Sequence, residues 1–358
     1  MTTPGAPSAT PAAAVIAEDD DRAIARKPAV IRWLGARAAW IFLLDIALII
    51  FFTADSPGRT FLSIADVQSL LLGGTEALLL ALGLALMIGA GKFDLSLGAN
   101  LVLASVLGAK VMLAAAGPAT ASGAFPHPTL GIILGLLTCI ASGVAFGTVN
   151  GLLISYLGIN SLIATLGTLG AGTGLVLVIT NGNDIAGLPS QIQSGFGLNT
   201  VADVPLPAIA ALVLAVIFWL IVRYTRFGLR TLAIGSSRYA AERAGLPVKR
   251  HLFALTVMAG GLAGLAGFVD LSHYLTTTIN GHPNDALNAV TAVVIGGTLL
   301  EGGQISILGT LWGVALGEIL LGGLDIIGVS SAYQQITIGA VLIAAVGLDR
   351  LTFLRRKR

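Results

Sequence analysis

The sequence is a succession of apolar runs, each close to the length that crosses a lipid bilayer. A helical crossing needs about 20 predominantly apolar residues. Runs of that kind lie near 38–54, 67–91, 95–116, 129–156, 161–180, 206–223, 251–271, 286–300, 306–327 and 331–349. They are continuous and lack a period-two alternation, so helices rather than barrel strands make the crossings. The expected fold class is therefore all-α: a polytopic transmembrane helical bundle of about ten spans. The runs 161–180 and 286–300 are the weakest, and each is open to being tilted, broken or re-entrant. Charged residues make up only 11% of the chain, against about 25% in soluble domains. That is too little charge to cover a water-facing surface, and the surroundings implied are membrane lipid, not nucleic acid.

Charge placement gives the topology. Of the 20 Lys and Arg, five lie at 22–37, seven at 223–250 and five at 350–358. Basic loops stay on the cytoplasmic side, so the three clusters share one side and an even number of spans separates each pair. Six apolar runs precede the central basic loop and four follow it, in agreement. The organisation read from this is a disordered cytoplasmic tail at 1–37, a transmembrane domain at 38–349 with a cytoplasmic loop at 224–250, and a basic cytoplasmic tail at 350–358. The first 37 residues begin with Ala, Pro, Ser and Thr and lack the apolar content for a core. The loops expected on the other side, near 117–128, 181–205 and 272–285, are rich in turn-forming residues and nearly free of positive charge.

The 46 glycines fall largely inside the apolar runs, where small residues four apart let helices approach closely. Gly260 and Gly264, Ala263 and Gly267, Gly170 and Gly174, and Gly313 and Gly317 have that spacing. The single cysteine, Cys139, excludes a disulfide framework and argues against zinc–thiolate chemistry.

The basic loop reads TRFGLRTLAIGSSRYAAERAGLPVKR at 225–250. Ser236 and Ser237 are N-cap residues, Gly245 suits a left-handed C-terminal position, and Pro247 blocks continuation. A helix of about two turns over 238–244 follows, too short to stand alone in water, so another surface is needed to hold it. Ala240, Ala241 and Ala244 offer a small-residue face. Arg238 and Arg243, with Glu242 between them, suit acidic residues at the edge of a groove. The bland alternative is a topology signal with an incidental helix.

This segment resembles the coupling loop of bacterial ATP-binding cassette importer permeases of the ribose/xylose sugar type, in the branched-chain amino acid/ribose permease superfamily. Thr225, Phe227, Gly228, Ala233, Ile234, Gly235, Ala240, Ala241, Gly245 and Val248 stand at matching positions. Ser237, Ala244 and Leu246 replace the usual Asn, Ser and Ile. FDLSLGA at 93–99, NGLLISYLGINSLIATLGT at 150–168, TNG at 180–182, AVVIGGTLLEGGQISILGT at 292–310 and VSSAYQQITIGAVLIAAVGLDR at 329–350 extend the likeness in order. The resemblance implies a permease subunit in the bacterial inner membrane with both termini cytoplasmic. It also implies a second permease chain, a separate cassette ATPase held by Gly235–Gly245, and an extracytoplasmic solute-binding protein. The chain itself would then be a transport subunit without enzymatic activity, cofactor or metal, with ATP consumed by its partner. LEGGQ at 300–304 looks like an ATPase signature, but no G-x-x-x-x-G-K-[ST] phosphate loop accompanies it.

Ionisable residues inside spans are costly and mark cavities or partners. Asp45, Glu76, Asp94, Glu301, Glu318 and Asp325 are candidates. Glu318 and Asp325, seven apart, fall near one helix face. Asp94 and Ser96, beside Asn100, suggest an unwound or sharply turned segment. The residues taken as lining a path are Asp94, Ser96, Asn100, Asn150, Glu318 and Asp325. An ion-coupled secondary transporter using such acids is the alternative function. A membrane-embedded enzyme is a weaker one, since His127, His251, His273 and His282 lack metal-ligand spacing. The sequence does not name the solute.

Overall fold

The computed structural model describes residues 37–343, apart from 121–122, 283 and 342. The expected tails, and the last part of the 331–349 run, lie outside the described residues. Eight helices among the described residues are long and apolar enough to cross a membrane. They are α1 (Arg37–Asp55), α2 (Ile64–Gly89), α3 (Leu97–Ala116), α4 (Pro128–Gly151), α5 (Ser161–Thr180), α6 (Leu206–Tyr224), α9 (Val248–Tyr274) and α11 (Ile307–Ile326). Between α6 and α9 come two short helices, α7 (Arg226–Ser236) and α8 (Arg238–Arg243). Between α9 and α11 lies α10 (Asp285–Ile295), and a further helix runs over 331–341.

The two weak spans resolve differently. α5 is an uninterrupted helix of 20 residues, started by Asn160, whose side chain accepts from the Leu162 amide at 2.9 Å. α10 has only 11 residues, too few to cross a bilayer by itself. Gly296 and Gly297 end it, and Gly297, Gly302 and Gly303 all take positive φ in the turn that follows.

α2 and α9 form the centre. Leu78–Ala90 is buried on every side, so α2 shows no lipid-facing stripe. Glycine then sets how closely the surrounding helices approach. A Cβ built on Gly143 of α4 would lie 2.4 Å from the Gly260 carbonyl oxygen of α9. One on Gly264 would lie 2.3 Å from the Cys139 carbonyl oxygen, and one on Gly267 2.5 Å from that of Leu101. Any side chain at these crossings would force the backbones apart. Gly170, Gly174 and Gly317 meet nothing within 4 Å among the described residues. Gly313 does pack, against the Ala292 backbone.

The 181–205 loop is tied to the segment after α9. Asp184 Oδ1 accepts from the Ile279 amide at 2.9 Å, and the Gln193 side chain donates to the His273 carbonyl at 2.7 Å. A two-stranded hairpin, Thr200–Val201 with Val204–Pro205, closes the loop.

Candidate functional site

The loop between α6 and α9 is a built surface. Thr225 caps α7 by accepting from the Gly228 amide at 3.3 Å. Gly228 lies so close to Val222 that a Cβ there would sit 2.2 Å from the Val222 carbonyl oxygen. The amphipathic α7 buries Gly228, Thr231 and Ile234. Thr231 Oγ1 is 2.8 Å from His251 Nε2, which fastens α7 to the start of α9.

α8 begins where Ser237 accepts from the Ala240 amide at 3.2 Å. It ends with the Gly245 amide donating to the Glu242 carbonyl at 3.0 Å and the Leu246 amide donating to the Ala241 carbonyl at 3.1 Å. That paired ending is the Schellman arrangement, and Gly245 supplies the left-handed residue it needs, with φ +77°. The expected small-residue face divides: Ala241 is buried, whereas Ala240 and Ala244 are exposed. The arginines find partners on α8 itself. Arg238 Nε donates to Glu242 at 2.9 Å, and the Arg243 guanidinium lies 4.7 Å from the centre of the Tyr239 ring. Ser236 is exposed at the end of α7.

Gly235 plays a different part. A Cβ there would lie 2.0 Å from the Gly89 carbonyl oxygen and 2.5 Å from the Gly303 amide nitrogen. The end of α2, the end of α7 and the turn after α10 therefore meet backbone to backbone. Lys92 is half-buried in the connection after α2. Burial, and next the Arg238 guanidinium, pull its ammonium below the usual lysine range.

The interrupted segment expected near Asp94 is present, since residues 91–96 run without helix between α2 and α3. Its polar groups are fastened rather than open. Asp94 Oδ1 accepts from the Ser96 amide at 3.0 Å and the Ser96 hydroxyl at 2.5 Å. Asn150 Nδ2 donates to Ser96 Oγ at 2.8 Å and to Asp94 Oδ2 at 3.3 Å, and Thr168 donates to Asn150 Oδ1 at 2.8 Å. The Phe93 and Leu95 amides donate to Ser161 and Thr165 of α5, each at 3.2 Å. Asn100 Nδ2 bridges the carbonyls of Gly143 and Gly260, at 3.3 and 3.4 Å. Asp94, Ser96, Asn100 and Asn150 are all fully buried and hold helices together.

Glu318 and Asp325 are not brought together: Asp325 is exposed at the end of α11, while Glu318 faces a cavity of about 230 Å³. That cavity is also lined by Glu76 of α2 and by His282, Asp285, Asn288 and Thr291. Asp270 of α9 stands behind His282. His282 Nδ1 is 2.6 Å from Asp285 Oδ2, and Nε2 is 3.2 Å from Asp270 Oδ1. Burial disfavours the imidazolium, but hydrogen bonds to Asp270 and Asp285 and their charges outweigh it and push the His282 pKa up to about 10. Sequence reasoning marked Glu76 and Glu318, set His282 aside for lack of metal-ligand spacing, and did not mark Asp270 or Asp285. The signal available was His282 three residues before Asp285, at the head of an unusually short apolar helix. Asp45 is buried on α1, and Glu301 is exposed in the turn after α10.

Comparison with known proteins decides the family. The family described as the branched-chain amino acid transport system / permease component matches residues 67–346. The chain belongs to it. This permease is 38% identical to the ribose import permease protein RbsC of Bacillus subtilis (strain 168), over 76% of its own length and 80% of that protein's. It is 31% identical to the D-allose transport system permease protein AlsC of Escherichia coli (strain K12), over 87% and 90% of the two chains. It is 30% identical to the galactose/methyl galactoside import permease protein MglC of Salmonella typhimurium (strain LT2), over 92% and 98%. No solved structure matches it significantly. The permease is a multi-pass membrane protein and a transport subunit rather than an enzyme, and membership implies an ATPase and a binding protein as partners. An ion-coupled secondary transporter finds no support among these relatives.

Proposed function

We propose that this permease carries a small sugar or polyol across the bacterial inner membrane, and that α8 is the element through which a separate cassette ATPase drives it. The observation that carries this is the exposed, doubly capped α8, set in the basic loop between α6 and α9. Arg238, Tyr239, Ala240, Glu242, Arg243 and Ala244 form its outward surface. Ala240 and Ala244 permit close approach, and the Arg238–Glu242 and Arg243–Tyr239 pairs leave a shallow polar rim.

In this reading the basic loop and both termini face the cytoplasm, as the positive-inside rule requires. A second permease chain, identical or homologous, completes the path. The loops at the opposite end receive an extracytoplasmic solute-binding protein. The sugar class rests on the relatives, which are named for ribose, D-allose and galactose or methyl galactoside. ATP is bound and hydrolysed on the partner, and this chain needs no cofactor or metal for that role.

Movement imposed on α8 has two routes inward. One runs through Gly235 to the ends of α2 and of the turn after α10; the other runs through Pro247 into α9. The solute path is thereby linked to the docking surface by backbone contacts, which resist compression.

The test is isolation of the chain from native membranes in mild detergent beside a Gly245→Glu variant. An ATPase carrying a phosphate loop should accompany the wild type and be lost from the variant, while both chains elute as folded protein. Failure of any ATPase to accompany the wild type, under conditions that preserve other importers, would reject the reading.

A further inference from the structure

The cavity between α2, α10 and α11 gathers more carboxyl side chains than a neutral sugar has use for. Glu76, Asp285 and Glu318 line it, Asp270 stands directly behind, and His282 is the one basic side chain on its wall among the described residues. The imidazole is already engaged by carboxylates on both nitrogens. Glu76 is only 7% exposed, and its Oε1 has no hydrogen-bond partner among the described residues. The fully buried Asp270 likewise leaves Oδ2 without one. No described residue pairs with the Glu318 carboxylate, which lies against Gly73 so closely that a Cβ there would meet Oε2 at 2.7 Å. Charges at membrane depth persist where they meet a partner or a ligand, and a buried acceptor left unmade is expensive.

We propose that this cavity is a subsite for the protonated amine of the transported solute, an aminated sugar or polyol, with the ammonium held between Glu76 and Glu318. The inference rests on the cavity being part of the solute path. An ammonium offers three donors and no acceptor, which fits carboxylates that only accept. The hydroxyls of the same solute would meet Asn288 and Thr291, the uncharged polar residues on the α10 wall. Asp285 and Asp270 have a different task, since they keep His282 fixed as the floor of the subsite.

Two measurements test it. First, permease-positive and permease-deleted cells are given a mixture of D-ribose, D-galactose, D-allose, myo-inositol, D-glucosamine and D-galactosamine, and depletion of each is followed. Permease-dependent loss of an amine-bearing member, reduced about tenfold in Glu318→Gln and Glu76→Gln cells, is the expected result. Permease-dependent loss of neutral members alone would overturn the proposal while leaving sugar import intact. Second, the purified full-length chain is melted in detergent at about pH 6, where the amine is protonated, with D-glucosamine hydrochloride, D-glucose or matched salt. Stabilisation by glucosamine alone, lost in Glu318→Gln but retained in Asp325→Asn, is expected. Equal response to glucose and glucosamine, or none to glucosamine, would overturn the proposal even if no solute of the mixture is imported. Manganese chloride provides the last arm. The ligand atoms of Glu76, Asp270 and His282 lie within 4.8 Å of one another. Stabilisation by micromolar manganese that survives Glu318→Gln but not Asp270→Asn would make the cluster a metal site and overturn the amine reading.

Discussion

The Gly303 amide donates to the Gly89 carbonyl at 2.9 Å, joining the turn after α10 to the end of α2. Gly235 packs on both partners, so the end of α7 bears directly on this bond. A Gly235→Ala substitution must shift backbone, because its Cβ has no side chain to push aside. We expect about 1–3 kcal/mol of destabilisation, as for other overpacked sites. The melting temperature of the purified chain should fall, and the partner ATPase should lose stimulation by solute. An unchanged melting curve would show that the three-way contact is slack.

The α8 caps are expected to act through docking more than through global stability. Ser237→Ala removes an acceptor for the Ala240 amide, a loss of about 1 kcal/mol for a helix of this kind. Ser237→Asp supplies the acceptor again. Affinity for the ATPase, measured by co-purification or biolayer interferometry, should drop several-fold in the first and recover in the second.

Asn150→Leu should be among the more damaging changes in the membrane domain. It strips Asp94 and Ser96 of their shared donor and leaves Thr168 without its acceptor. Each buried polar group left without its partner costs about 1–3 kcal/mol. The expected readout is poor recovery of folded protein in detergent; normal yield with an unchanged melting temperature would refute the account.

His282 gives a pH signature. Its folded pKa is raised from the model-peptide value of 6.5 to about 10. A raised folded value contributes stability that is fully present below about pH 6.5 and fades as pH climbs toward 10. His282→Gln should therefore lower the melting temperature clearly at pH 6 to 7, with the gap to wild type narrowing toward about pH 10. A gap that stays constant with pH would remove the charge argument.

The spans and the α8 loop were legible because their signals are local. An apolar run announces a crossing, and Ser237, Gly245 and Pro247 mark a helix by their own backbone preferences. Legibility failed where the outcome depends on which helices become neighbours. Gly170 and Gly174 have the same spacing as Gly260 and Gly264, yet among the described residues only the latter meet another backbone. Asp94, Asn100 and Asn150 stand out as polar groups within apolar sequence, but the sequence does not say that Asp94 and Asn150 bond each other or that Asn100 bonds nearby carbonyls. Glu318 and Asp325 share a helical face by arithmetic, and the end of α11 separates their surroundings. Asp270 and His282 belong to one cluster only because the chain after α9 folds back toward α2.

The length of α9 has a mechanical consequence. Its 27 residues run unbroken from Val248, close after α8, to Tyr274, and at 1.5 Å per residue they span about 40 Å. The glycine crossings weld it to α4 along the middle of that length. A tilt applied at one end of such a beam becomes a displacement at the other, without any bond along it having to break. The segment carrying Thr277, Thr278 and His282 hangs from that far end. Under the proposed coupling, gating is a problem of leverage, and the stiffness of the α4–α9 pair sets how much of a movement at α8 reaches the far end.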